Sequence, residues 1–161
     1  MLFRARSGAE ILEKIDVNEE DAFRKYPEIN HVLVIVKTGS DYLLGYHKWR
    51  SDWETFGGRL EKGESLRECI RRECKEELGI CGADFEYLGV VHYYMPPDYW
   101  VKDWHEEFGG LYGITLPEDA LRTIEENRCD KEEIGRIELY SVLKKHKENI
   151  DEINERLLRF Y

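Results

Sequence analysis

The sequence predicts a single α/β domain, a sandwich in which strands mixed with a few helices share one core. Two patterns carry this reading: short β-branched runs bounded by turn signals recur along the chain, and one strongly capped amphipathic helix stands among them. Length supports it, since 161 residues hold one domain with a real core and fall short of two ordinary ones. There are no internal repeats, low-complexity tracts or linkers.

Residues 1–30 are polar and weakly patterned, with a short strand expected near Leu2–Ala5 and a helical turn around Glu19–Lys25. His31–Val36 (HVLVIV) is continuous and β-branched, which marks a buried strand. The turn Thr38-Gly39-Ser40-Asp41 leads back into Tyr42–His47, completing a hairpin. Lys48–Phe56 reads as a loop ending in a short strand, and glycines then cluster at Gly57, Gly58 and Gly63. Ser65–Leu78 is the clearest helix: Ser65 and Glu68 form a capping box, and Gly79 sits where a left-handed stop is expected. Phe85–Tyr94 is a predicted strand, Met95–Asp103 an aromatic loop with Pro96 and Pro97, and Phe108–Leu116 a further strand. Pro117–Asn127 reads as a helix opened by its proline. Glu133–Tyr140 reads as a strand, and Lys144–Phe160 as one or two amphipathic helices.

A formal charge of −10 argues against broad nucleic-acid binding, which needs a basic face. It leaves open an anionic substrate bridged to carboxylates by a divalent cation. The start MLFRARSGAE lacks the apolar core of a signal peptide and no run is long enough to span a membrane, so a cytoplasmic location is expected. Cys69, Cys74, Cys81 and Cys129 have neither CxxC spacing nor the density of a disulfide scaffold.

The central helix breaks its own pattern. With about 100° per residue and Glu73 as origin, Leu66, Cys69 and Ile70 lie within about 60° of zero and define a core-facing stripe. One turn on, the same arc carries Glu73, Glu77 and Glu76. Carboxylates crowded into a core-facing arc repel one another and are costly to bury, unless a cation compensates them. A surface network built on the Arg72–Glu76 pair would use the same letters.

Gly58–Ile80 reads GRLEKGESLRECIRRECKEELGI and resembles the signature of the Nudix (MutT-like) hydrolase family, G-x5-E-x7-R-E-U-x-E-E-x-G-U, where U is bulky and aliphatic. The fixed positions are Gly58, Glu64, Arg72, Glu73, Glu76, Glu77 and Gly79, and Cys74 replaces the first U. A chance match of seven fixed letters in this chain is roughly one in a million. The resemblance implies that residues 1–161 form a single Nudix domain, an α/β/α sandwich around a mixed sheet, with its box at 58–80.

It also implies a site. Glu73 and Glu77 would lead, with Glu76 assisting, in binding Mg²⁺ or Mn²⁺, and a carbonyl of Gly57 or Gly58 would complete the shell. Glu73 would also orient or deprotonate water, Arg72 would hold a glutamate, and Glu64 would brace the loop. The family recruits a further acid from beyond the box; Glu133 is the candidate, with Glu132 next, although a solvated charge run is an equal reading. Trp53, Tyr93 and Trp100, with Tyr94, Tyr99 and Trp104 nearby, are candidates for substrate stacking, with core or dimer packing as the alternative. His92 and His105 are expected to be structural. The implied function is hydrolysis of a phosphoanhydride bond in a nucleoside triphosphate or nucleoside diphosphate derivative. The runner-up is an inactive Nudix-fold nucleotide-binding or regulatory module, which the intact glutamates disfavour. Related isopentenyl-diphosphate isomerases need a cysteine just before the box, and Trp53–Gly58 has none. A homodimer is permitted by the aromatic excess without being required.

Overall fold

The structure is a computed structural model that describes residues 1–129 and 131–161. Its strands are β1 (Phe3–Arg4), β2 (Glu10–Ile15), β3 (Ile29–Thr38), β4 (Asp41–His47), β5 (Asp52–Glu54), β6 (Phe56–Arg59), β7 (Glu86–Met95), β8 (His105–Leu116) and β9 (Ile134–Leu139). The helices are α1 (Ala22–Lys25), α2 (Leu66–Leu78), α3 (Ala120–Asn127), α4 (Tyr140–Lys145) and α5 (Glu152–Leu157). All strands join one sheet in the order β1-β2-β7-β8-β3-β4-β5, with β6 added to β3 and β9 to β4. The β3–β8 pair is parallel and the others antiparallel, so the sheet is mixed as expected.

The sheet forks at β3. The first half of that strand, His31–Val34, pairs with β6, whereas its end, Val36–Thr38, pairs with β4. Strand β4 then leaves β3 and takes β5 and β9 as neighbours. The alternation of β3 sends Val32, Val34 and Val36 into one core with Leu66, Ile70, Cys74 and Leu78 of α2 and Ile124 of α3. Ile35 goes to the opposite core, with Ile11, Leu111, Leu143 and Leu157. Helices therefore cover both faces, and the layering is α/β/α.

Three elements depart from the sequence reading. Strand β2 lies where no strand was expected. Its pattern is weak because Ile11 is its one fully buried side chain, and pairing with β7 defines it. The glycine loop is itself strand β6, because Gly57 and Gly58 pair with Leu33 and Val32. The last strand ends at Leu139, and α4 begins at Tyr140, four residues earlier than the expected terminal helix. No helix is long and apolar enough to cross a membrane among the described residues.

Helix α2 is capped as predicted. The Glu68 amide donates to Ser65 Oγ at 3.1 Å, and the Ser65 amide donates to the Glu68 carboxylate at 2.9 Å. Gly79 ends the helix in the left-handed region, where a Cβ would also meet the backbone of Asn127 and Arg128. Ser65→Ala is expected to lower unfolding free energy by about 1 kcal/mol. Urea denaturation measures it, and an unchanged midpoint would mean that the cap contributes nothing.

Candidate active site

The carboxylates gather where β6 runs beside α2. Gly57 has φ of +144°, and a Cβ there would overlap the Val32 carbonyl. A Cβ on Gly58 would overlap the Glu73 carboxylate. These two glycines let a strand fit between β3 and an inward-pointing glutamate.

Arg72 organises the group. Its Nε and Nη2 donate to the two Glu64 oxygens at 2.8 and 2.9 Å, Nη1 donates to Glu73 at 2.7 Å, and Nη2 also reaches the Arg59 carbonyl at 3.0 Å. One guanidinium thus ties the loop after β6 to the middle of α2. It holds the Glu64 carboxyl down at about 2, and the pairing raises the pKa of Arg72 in turn.

The three glutamates that follow Arg72 on α2 separate. Glu73 and Glu77 are buried, on the same face as Leu66, Cys69 and Ile70, while Glu76 is half exposed and 3.7 Å from Arg72. Burial pushes the Glu73 carboxyl up, Arg72 opposes this, and Glu76 and Glu133 add to it. Burial raises Glu77 further, reinforced by Glu73, Glu133 and Glu54. Its hydrogen bond among the described residues comes from the Gly57 amide at 3.3 Å.

Glu133, the acid picked from beyond the box, therefore lies within electrostatic reach of both buried glutamates. Glu54 does so for Glu77 and was missed. It is buried at the end of β5 and held by both arms of Arg50, at 2.6 and 2.8 Å. Its signal in the sequence was slight: one acid in the stretch WETFGG just before the box.

Carboxylates here outnumber the cations that reach them: Arg72 serves Glu64 and Glu73, Arg50 serves Glu54, and Glu77 has an amide. Hard oxygen donors in such an under-compensated setting fit a divalent cation. The Gly57 N–H faces Glu77, and the Gly58 carbonyl faces the Cys69 thiol at 3.8 Å. The described group whose three donor atoms lie within 4.8 Å is a different one, Asp98, His105 and Glu107. There His105 stands 2.8 Å from Glu107 and 3.7 Å from Asp98. Burial opposes the His105 charge, but the Asp103 carbonyl, Glu107 and Asp98 outweigh it and raise its pKa. Glu107 thus already has His105 as a hydrogen-bond partner.

Among the aromatic candidates, two are corrected. Trp53 is 1% exposed, packed 5.4 Å from Tyr46 under the Arg136 guanidinium, and Tyr93 is 4% exposed beside His31. Neither ring offers a face to a base, because the alternation of their strands turns both into the second core. Trp100 is 63% exposed, and the Arg59 guanidinium lies 4.7 Å over its ring. Arg59 thereby joins the box to the aromatic loop. A cavity on the α5 side, lined by Phe3, Tyr42, Tyr140 and Arg156, shares no residue with the carboxylate group.

A sheet of this form, with a carboxylate-bearing helix beside a glycine strand, is the arrangement of Nudix proteins. The family model described as NUDIX domain matches residues 27–160, and the chain belongs to the Nudix hydrolase family. It is 28% identical over 94 residues to the NAD-capped RNA hydrolase NudC of Pseudomonas aeruginosa, covering 56% of this chain and 34% of that protein. The NudC of Mannheimia succiniciproducens is 32% identical over 87 residues, 49% and 33% of the two chains. The chain thus spans about a third of the length of these relatives. Its fold resembles the Bacillus subtilis pyrophosphohydrolase BsRppH (TM-score 0.62, 22% identity, 98% and 93% covered). It also resembles the NUDIX domain of Shewanella oneidensis NrtR, solved with ADP ribose (TM-score 0.59, 14% identity, 89% and 96% covered).

Burial lifts the Glu54 carboxyl from its ordinary 4.5 to about 7, against the pull of Arg50 and with help from Asp52. Between those values the unfolded chain gives up a proton that the folded chain keeps, so stability falls as pH rises from about 4.5 to about 7. The melting temperature of chelator-treated protein should decline across this window, and Glu54→Gln should flatten the decline. An equal slope in the variant would place the titration elsewhere.

Proposed function

We propose that this chain is a divalent-metal-dependent pyrophosphohydrolase, acting on a nucleoside triphosphate or nucleoside diphosphate derivative, with residues 1–161 working as one Nudix domain. The observation that carries this reading is the burial of Glu73 and Glu77 on the otherwise apolar face of α2, with one guanidinium between loop and helix. Carboxylates so placed cost stability when the protein stands alone. The names of the NudC relatives and the ADP-ribose-bound neighbour support a substrate in which a nucleoside diphosphate carries a further group.

Glu73 and Glu77, assisted by Glu76, would hold Mg²⁺ or Mn²⁺, and a Gly57 or Gly58 carbonyl would complete the shell. The bound ion supplies neutralisation of phosphate oxygens and a water of lowered pKa. Arg72 keeps Glu73 turned inward and Glu64 on the loop. Glu133, or Glu73 itself, would orient the attacking water and take its proton. Trp100, with Arg59 behind it, would offer a face to a base.

Phosphate or pyrophosphate release from a mixed nucleotide panel with Mg²⁺ tests the activity. Wild type should turn over at least one member, and Glu77→Gln should lose at least a hundredfold in kcat. Binding without release by wild type would favour a nucleotide-binding module instead. Mg²⁺ or Mn²⁺ should also raise the melting temperature, by an amount equivalent to about 2.7 kcal/mol at a hundred times Kd. Glu73→Gln should blunt that rise; a full rise in the variant would put the cation elsewhere.

A further inference from the structure

Glu133 is held far more firmly than a member of a solvated charge run would be. Its backbone carbonyl accepts the Lys48 amide at 3.0 Å. The two carbonyls that follow it, of Ile134 and Gly135, accept Nη1 and Nη2 of Arg128 at 2.6 and 2.7 Å. The Arg128 side chain is 1% exposed. Its own backbone lies against Gly79, the residue that ends α2. The segment that delivers Glu133 is thus fixed to the far end of the carboxylate helix.

The side chain is held by His47. This histidine is 2% exposed, at the end of β4 where the β4–β9 register slips by a residue. Its Nε2 lies 2.9 Å from Glu133 Oε1, and its Nδ1 accepts the Arg50 amide at 3.2 Å. A backbone N–H can only donate, so Nδ1 carries the lone pair and the imidazole proton sits on Nε2, aimed at Glu133. The same Arg50 holds Glu54 with its side chain. The ring's other contact is Trp49, which meets it edge-on with 5.6 Å between ring centroids.

We infer that His47 is a positioning residue for the reaction: it fixes one oxygen of Glu133 and leaves the other to the attacking water. In this arrangement Glu133 takes the proton from the water as the water oxygen bonds to phosphorus and the bridging P–O bond breaks. The inference rests on the hydrolase reading and on the role given there to Glu133.

His47→Gln and His47→Asn provide the test, since both are uncharged amides and only the longer one can place an N–H where Nε2 lies. His47→Gln should keep kcat within about threefold of wild type, and His47→Asn should lose ten- to a hundredfold in kcat with KM within threefold. Adding His47→Asn to Glu133→Gln should cost nothing further, because the residue it acts through is already disabled. Melting temperatures separate this from unfolding: two variants of equal stability and unequal kcat support positioning. Equal kcat in the two amide variants, or an additive loss in the double variant, overturns the inference and leaves the hydrolase reading intact. Hydrolysis by wild type that Glu133→Gln does not slow overturns the role of Glu133 and this inference with it. A wild-type chain that hydrolyses nothing in the panel overturns both readings.

Discussion

The site depends on the Arg72 guanidinium. It grips Glu64 with two parallel bonds, holds Glu73 with a third, and reaches the Arg59 carbonyl with a fourth. A lysine could carry the charge but could not span three partners in one plane. Without the fork, Glu73 would lie buried with its charge uncompensated, a penalty of several kcal/mol that folding could avoid by turning the helix. The glycine strand would also lose its tie to the helix. Charge balance and loop geometry are therefore one constraint.

The sheet supplies the space. Because β3 pairs with β6 along its first half and with β4 only at its end, the two edges splay apart. Strand β5 carries Glu54 into that opening from one side, and the residue before β9 carries Glu133. An unforked sheet would have placed a paired strand there, with no room for four carboxylates from three parts of the chain. Burial raises Glu77, and Glu73, Glu133 and Glu54 add to it.

The aromatic loop follows a different logic. The aromatic loop between β7 and β8 is organised by Asp98, whose Oδ1 accepts the amides of Trp100 and Val101, and by His105 between Asp98 and Glu107. These contacts hold Trp100 against Arg59, one residue from the glycine that cradles Glu73. The glycine strand and the aromatic loop thus meet at a single side chain, Arg59.

The sequence by itself determined α2, its cap and stop, the hairpin of β3 and β4, and the acidic turn set into an apolar stripe. Each is local: side chains within a few residues decide it, so spacing reveals it. What only the tertiary structure decided is which of those acids turn inward and what joins them. Glu76 shares the arc of Glu73 and Glu77 on a helical wheel, yet it faces out because the glycine strand covers only part of that arc. His47 gained its place through the pairing of β4 with β9, far along the chain, and β2 exists because β7 offers it an edge. Trp53 and Tyr93 were drawn into the second core by the side of the strand on which they fall. Such outcomes depend on contacts between residues far apart in the chain, and no local pattern encodes them.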